Sequence, residues 1–175
     1  MRLALSADSR VLVDLQATGL LRAVGHDPTL VAHPQEATFD TDEEVALVFR
    51  VRDVEPPADL SASDREKMTE NLRGKDVLDA ERHPELAVRG RYEGTLESGT
   101  FVADVAVRGL ARRIRVLLRA SPTGDGFDVT GTWEGTLTDL GIRPFKALLG
   151  ALKLKDWIRL RVEARVGAVK TASTP

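Results

Sequence analysis

The sequence has no cysteine, few aromatic residues and almost no net charge. The absence of cysteine excludes disulfide bonds, thiolate metal sites and cysteine nucleophiles. Aromatic residues make up only 5% of the 175 residues, so a core or pocket must be built mainly from valine, leucine, isoleucine and alanine. The 25 basic and 27 acidic side chains leave a formal charge of -2, which gives no electrostatic reason to expect nucleic acid as a partner.

Long apolar runs are also missing, and no stretch reaches the roughly 20 residues that a membrane-spanning helix needs. The first ten residues, MRLALSADSR, hold too short an apolar stretch for a secretory leader. A cytoplasmic location is therefore expected, and a periplasmic one if a leader was removed. The length predicts a single domain, which we place at 1–168, followed by a disordered tail over 169–175.

Alternation of apolar and polar residues is the strongest pattern that is present. It is clearest over 127–138 and 158–166, and weaker over 11–15, 45–54, 86–92, 101–107 and 112–118. A period of two is typical of antiparallel strands with one buried face, and turn signals separate the segments. The pattern predicts seven or eight strands that form a barrel or a sandwich. Gly90, Gly131 and Gly135 fall on inward faces, where they would permit sharp bending or leave room for a ligand.

Two segments depart from the strand pattern. In 63–73, a capping box from Ser63 to Glu66 and a stop signal at Gly74 predict a short, mostly solvated helix. In 144–155, Pro144 and an apolar stripe that begins at Phe145 predict an amphipathic helix. That helix would plug one end of the sheet or form a lid over an internal ligand. Reversible docking to a membrane surface is a third interpretation.

Sequence motifs for catalysis are missing: the chain has no GxGxxG, Walker loop, HExxH or GxSxG. The GHDP stretch at 25–28 is first of all a turn signal. A metal or acid-base site built from His26, Asp27 and His33 is the alternative. The arginine-rich run at 112–119 places most of its arginines on the outer face of a strand. We expect acidic residues on neighbouring strands to pair with them, rather than nucleic acid.

Several stretches, taken in order, resemble the YceI-like family of lipocalin-like, polyisoprenoid-binding proteins. The segment 63–90 carries the short helix followed by a VLD and proline pattern of that family. The segment 105–116 is similar to its strand, Arg-Gly turn and next strand, and 138–166 to its late loop and final strand. GHDPTL at 25–30 resembles a GHD-bearing branch. The residues that carry the first two similarities are Val77, Leu78, Asp79, Pro84, Arg108 and Gly109.

The resemblance implies an all-β fold, an eight-stranded antiparallel lipocalin-like barrel with one short helix between strands. A late amphipathic helix or loop would cap one end. It also implies an interior apolar pocket and non-enzymatic binding, transport or sequestration of an isoprenoid or other lipid-like molecule. No cofactor is expected, and a bound polyisoprenoid or other lipid would be the ligand. The alternatives are a metal-assisted enzyme that uses the GHD turn, and a barrel with a filled core that acts as a stress or interaction module.

Inward parity along the strands supplies the candidate binding residues. The predicted wall consists of Leu47, Phe49, Val51, Val88, Tyr92, Phe101, Val105, Ile114, Val116, Phe127, Trp133, Leu137, Ile158, Leu160 and Val162. The predicted lid or end cap consists of Phe145, Leu148, Leu149, Leu152 and Trp157. His26, Arg143 and Lys146 are the candidates for a polar head group. The expected partner is an apolar small molecule, with at most transient membrane contact, no nucleic acid, and a homodimer left open.

Overall fold

The computed structural model of the chain describes residues 1–18, 27–147 and 152–169. These ranges contain strands, one α-helix and two short 3-10 helices. The strands are β1 (Arg2–Leu5), β2 (Arg10–Thr18), β3 (Thr29–Ala32), β4 (Thr38–Asp40), β5 (Val45–Arg50), β6 (Glu85–Gly94), β7 (Ser98–Val107), β8 (Leu110–Thr123), β9 (Gly126–Gly135), β10 (Lys146–Ala147) and β11 (Leu152–Ala168). The helix α1 spans Ala62–Arg73, and the 3-10 helices span Val51–Asp53 and Thr138–Leu140.

Eight of the strands follow one another in a single curled sheet, in the order β3-β2-β11-β9-β8-β7-β6-β5. All neighbours along this path are antiparallel. The two end strands then meet, because an isolated bridge joins Pro34 to Phe49 and the Gln35 amide donates to the Val48 carbonyl over 2.8 Å. The prediction of an eight-stranded antiparallel, lipocalin-like barrel is therefore confirmed, and the sandwich alternative is not.

The remaining short strands extend the sheet at its ends. β1 pairs with the end of β11 and with β4, and β10 pairs with the beginning of β11. β11 is 17 residues long and pairs with several strands; it forms hydrogen-bonded ladders with β2 on one side and β9 on the other. Every strand of the closed path buries one face, as the period of two predicts.

The predicted ends of two strands are wrong. The strand predicted over 45–54 ends at Arg50, because Val51–Asp53 form a 3-10 helix. The strand predicted over 127–138 ends at Gly135 and is followed by the 3-10 helix Thr138–Leu140. In both cases the chain must turn inward to cover the end of the barrel, and tertiary packing overrides the local alternation.

The helix α1 lies where it was predicted, but its N-terminal cap differs. Ser61, not Ser63, is the N-cap, and its Oγ accepts a hydrogen bond from the Asp64 amide over 3.1 Å. The helix ends at Gly74, as predicted. Its two apolar side chains, Met68 and Leu72, are 1% and 3% exposed and contribute to the core at one end of the barrel. In the part of the chain that the structure describes, no helix has the length and apolar character needed to cross a bilayer.

The amphipathic helix predicted over 144–155 is wrong for the residues that the structure describes. Lys146–Ala147 form β10, which pairs with the first residues of β11, and β11 itself begins at Leu152. Residues 148–151 lie outside the described ranges. The apolar spacing over 144–155 favours a helix when it is considered alone. Hydrogen bonding between β10 and β11 stabilises extended backbone at Lys146–Ala147 and at the start of β11, so pairing outweighs the local preference. The predicted tail beyond Val169 also lies outside the described residues.

The tight turn between β7 and β8 leads to a first testable prediction. Its two central residues, Arg108 and Gly109, have φ values of 52° and 76°, the pattern of a type I′ turn. Asparagine tolerates a positive φ better than arginine does. We expect Arg108→Asn to raise the free energy of unfolding in urea by about 0.5 kcal/mol. Arg119→Asn, on the extended part of β8, is the matched control, and an equal gain in both variants would contradict the explanation.

Candidate functional site

The inward faces of the strands surround a cavity of about 350 Å³. This volume lies within the range of about 300–1,000 Å³ that is common for small-molecule sites. Among the described residues that line it, every side chain is apolar except those of Thr41 and Tyr92. The Tyr92 hydroxyl donates to the Thr95 carbonyl over 2.6 Å, and the Thr41 hydroxyl donates to the Asp42 carboxylate over 2.9 Å. Both hydroxyl hydrogens are therefore already donated to protein oxygens, and the wall itself is a hydrocarbon surface.

Most of the residues predicted to form the wall or cap do lie around this cavity. They come from the inward positions of six strands and from the ends of the barrel. Those in the cavity wall are Leu47, Phe49, Val88, Tyr92, Phe101, Val105, Ile114, Val116, Phe127, Leu137, Phe145, Leu160 and Val162. Whether they contact a ligand stays a prediction.

Three predicted wall residues belong to the packed core instead. Val51 and Ile158 are 1% and 3% exposed, and Trp133 packs against the same core cluster. All three side chains face the interior, as predicted. They lie toward the end where α1 and the 3-10 helices fill the interior, so no cavity remains beside them.

The prediction that Trp157 is part of a lid is wrong. The Trp157 Nε1 donates to a Glu134 carboxylate oxygen over 2.8 Å, and the Arg159 guanidinium lies 5.5 Å from the centre of the indole ring. These contacts place the ring on the outer face of the sheet. The outward position follows from the alternation within β11, because Ile158 and Leu160 face the interior and Trp157 therefore faces the opposite side of the sheet. Leu148 and Leu149, and the side chain of Leu152, lie outside what the structure describes.

Sequence reasoning missed a second group of wall residues. They lie on β2 and β3, on the short strands β1 and β4, and just after α1: Val11, Val13, Leu15, Leu30, Ala32, Leu3, Leu5, Phe39, Val77 and Leu78. The alternation over 11–15 contained the signal for β2. β1 and β4 are only four and three residues long, too short for a period of two to stand out. Phe39, on β4, therefore lies in the wall although no strand was predicted there.

The inward glycines provide close approach between strands, not space for a ligand. A Cβ at Gly90 would contact the Val102 carbonyl and come within 2.8 Å of the Ala103 Cα and 2.9 Å of the Phe101 ring. A Cβ at Gly131 would contact the Leu118 side chain. Of the two interpretations left open by the sequence, the structure supports tight coiling of the sheet.

The candidate metal or acid-base site of the GHD turn is not assembled by the described residues. Asp27 accepts a hydrogen bond from the Ala17 amide over 3.0 Å, whereas His33 lies 3.3 Å from the Ser9 carbonyl and 3.4 Å from a Glu55 carboxylate oxygen. Asp27 and His33 flank the extended strand β3 and are six residue steps apart, a separation of roughly 20 Å for an extended chain. The described ranges contain no group of three or more side chains suited to hold a metal, and residues 25 and 26 lie outside them.

The head-group candidates lie away from the exposed part of the cavity wall. Arg143 and Lys146 are exposed beside Ile142 and Phe145, at the end of the barrel near α1. His26 lies outside the described residues. The most exposed lining residue, Leu96, is 50% exposed and belongs to the β6–β7 loop at the other end. The sequence could not show at which end of the barrel the cavity wall is most exposed, because that depends on how the strands curl around the interior.

Arginines on the outer face pair with carboxylates across strands, as the sequence led us to expect for the run at 112–119. Arg113 donates two hydrogen bonds of 2.9 Å to Asp104, its direct partner on β7. These bonds, together with the positive charge of Arg113, lower the pKa of the Asp104 carboxyl. Arg115 lies 3.5 Å from Glu93 in the same way. Arg113 and Arg115 of this run therefore have a structural explanation on the barrel surface.

Asp14 is the most strongly perturbed carboxyl on the barrel. It is 6% exposed and accepts hydrogen bonds from Arg161 at 2.6 and 2.8 Å, from Thr29 at 2.8 Å and from Arg159 at 3.0 Å. The hydrogen bonds from Arg161 contribute most to lowering its pKa to about 2, against the opposing effect of burial. The cluster ties β2 to β3 and β11 from outside the cavity.

A second prediction concerns this carboxylate. Because the pKa of Asp14 is lower in the folded protein than its usual value of 3.8, its contribution to stability is full above pH 4 and is lost as the pH falls towards 2. We expect Asp14→Asn to lower the free energy of unfolding by about 2 kcal/mol at pH 7. The difference from the wild type should shrink between pH 4 and 2 in urea titrations. A difference that does not change with pH would contradict the ionic explanation.

The curled antiparallel path around an apolar cavity defines a lipocalin-like barrel. Comparison with solved structures gives a YceI-like fold. The chain is similar to Burkholderia cenocepacia BcnA, with 12% identity and a TM-score of 0.66 over 93% of this chain and 98% of that chain. It is also similar to the Campylobacter jejuni YceI protein, with 13% identity and a TM-score of 0.59 over 81% and 82% of the two chains.

A mutant of the Campylobacter protein with a monobromobimane guest matches equally well, at 13% identity and a TM-score of 0.59. At these identities the similarity is one of fold. No family model and no curated protein sequence matches the chain. The structural neighbours thus agree with the YceI-like resemblance at the level of architecture.

Proposed function

We propose that this protein binds and carries or sequesters an isoprenoid or similar lipid-like chain inside its barrel, without converting it chemically. The observation that supports this proposal is the apolar wall of the cavity, whose two hydroxyls already donate to protein oxygens. Such a wall offers a buried polar group little compensation for lost hydration, and this favours a hydrocarbon chain. Each methylene that moves from water into it is stabilised by about 0.8 kcal/mol.

The size of the cavity limits how much of a ligand is buried. At about 30 Å³ for each small group, a volume of about 350 Å³ holds roughly a dozen methylene-sized groups. We therefore expect one end of a long isoprenoid or acyl chain to enter the barrel while the rest stays outside. This expectation distinguishes chain binding from recognition of a whole long molecule.

Two measurements test the proposal. Native mass spectrometry of the freshly purified protein, followed by extraction with organic solvent, should reveal a co-purifying lipid. Calorimetric titration with linear alcohols of 6 to 16 carbons should then show an affinity that rises about fourfold per methylene and levels off near about 12 carbons. If preparations from several hosts are free of lipid, and neither alcohols nor isoprenoids bind or raise the melting temperature, the proposal is wrong.

A further inference from the structure

The wall of the cavity continues into loops at one end of the barrel. The strand register places three connections at this end: 41–44 before β5, 95–97 between β6 and β7, and 124–125 between β8 and β9. We call these three loops the hairpin rim. Two lining residues belong to it, Thr41 and the half-exposed Leu96.

The opposite end differs in its packing. Most of the lining residues there, such as Leu72, Val77, Leu78 and Leu140, are less than a tenth exposed, and Phe145 is partly buried. Among the described residues that line the cavity, the most exposed one, Leu96, lies at the hairpin rim. A chain in the cavity would have its polar end at this rim, because both hydroxyl hydrogens of the wall are already donated.

The charges of the hairpin rim have one sign. Its three loops contain five exposed carboxylates and no lysine or arginine: Asp42, Glu43, Glu44, Glu97 and Asp125. Among the described residues, neighbouring cations are the N-terminal ammonium, which lies 3.7 Å from an Asp42 oxygen, and the exposed Arg2 and Arg119 on β1 and β8. The carboxylates outnumber these cations, so a head group at the entrance experiences a negative potential.

We infer that the hairpin rim selects the head group of the bound chain, favouring a cationic head group over an anionic one. This inference rests on the proposed function, since it concerns the same cavity. The contributing charges are exposed to water, so each one acts weakly on a head group at the entrance. Their summed potential attracts an ammonium head group and repels a carboxylate head group. Salt removes this effect, because the screening length falls from about 30 Å at 0.01 M to about 3 Å at 1 M.

Ligands with one chain and different head groups test the inference. Dodecylamine, dodecanol and dodecanoate share a chain that matches the cavity, and each is titrated calorimetrically below its micelle concentration. At pH 7 and 10 mM salt, we expect dodecylamine to bind about tenfold more tightly than dodecanoate, with dodecanol between them. In 0.5 M salt the difference should fall to about twofold or less.

Charge-reversal variants separate the rim from the intrinsic properties of the three ligands. Glu97→Lys combined with Asp125→Lys should remove or invert the preference while dodecanol binds as before. The matched control is Glu66→Lys combined with Glu70→Lys on the exposed face of α1, which makes the same change in charge at the other end. This control should keep the preference of the wild type to within about twofold.

The outcomes distinguish the two proposals. If none of the three ligands binds, the proposed function is wrong. If all three bind but dodecanoate binds as tightly as dodecylamine at low salt, the inference about the rim is wrong and the cavity proposal stands. An equal loss of preference in the rim variant and the helix control would also overturn the inference, because it would assign the effect to net charge alone.

Discussion

The variant Val88→Trp is expected to abolish binding of a hydrocarbon chain while leaving the barrel folded. Val88 lies in the middle of the cavity wall, between its register partners Leu47 on β5 and Val105 on β7. An indole ring at this position would occupy space that roughly four methylenes of a chain would fill. At about 0.8 kcal/mol for each, we expect the affinity for dodecanol to fall by about 100-fold or more.

The matched control for this variant is Leu117→Trp. Leu117 is 57% exposed on the outer face of β8, so its replacement adds the same ring outside the cavity. Dodecanol should bind this control as it binds the wild type. Circular dichroism and urea unfolding verify that both variants are folded, since a tryptophan that exceeds the available space costs about 1–3 kcal/mol. A folded Val88→Trp variant with wild-type affinity would mean that the ligand binds elsewhere.

The variant Gly90→Ala should have the largest effect on stability. The added Cβ would contact the Val102 carbonyl and lie within 2.8 Å of the Ala103 Cα, so the backbone of β7 must move away. Movement of the Phe101 ring alone would not relieve this contact. We expect the free energy of unfolding to fall by about 3 kcal/mol, as measured in urea, because strand backbones in a curled sheet shift only together.

Gly167→Ala controls for the general effect of adding a methyl group to a strand glycine. Gly167 lies in β11, and a Cβ built on it has no heavy atom within 4 Å. This variant should be unchanged or gain up to about 0.5 kcal/mol, because alanine restricts the unfolded chain. If Gly90→Ala were as stable as Gly167→Ala, close approach between β6 and β7 would not be what requires glycine at position 90.

Much of the fold could be predicted because its signals are local. A strand with one buried face must alternate, so Ile114, Val116, Leu160 and Val162 were assigned to the interior from spacing alone. Gly109 marked a break between two strands in the same way, and the family resemblance implied the turn at Arg108 and Gly109. The cavity wall was predicted well wherever a strand was long enough to repeat its pattern several times.

The failures arose where a distant partner decides the outcome. Lys146 and Leu152 have neighbours at helical spacing, yet they pair as strands because β11 offers them a ladder. Trp157 lies on the outer face because its stretch belongs to β11, which pairs with β9, and not to a cap over the barrel. Phe39 lies in the wall because it belongs to β4. The three residues of β4 pair with β1, and the β2–β3 hairpin lies between these two strands in the sequence.

The sequence by itself determined an all-β chain with a short helix between strands, aliphatic inward faces and an exterior of paired charges, since these follow from residue type and local spacing. Only the tertiary structure decided that the interior retains a cavity, where α1 fills the barrel and at which end the wall meets solvent. The physical reason is that closure depends on pairing between residues far apart in the chain, such as Pro34 with Phe49. The volume left inside is the small difference between the size of the barrel and the side chains that fill it.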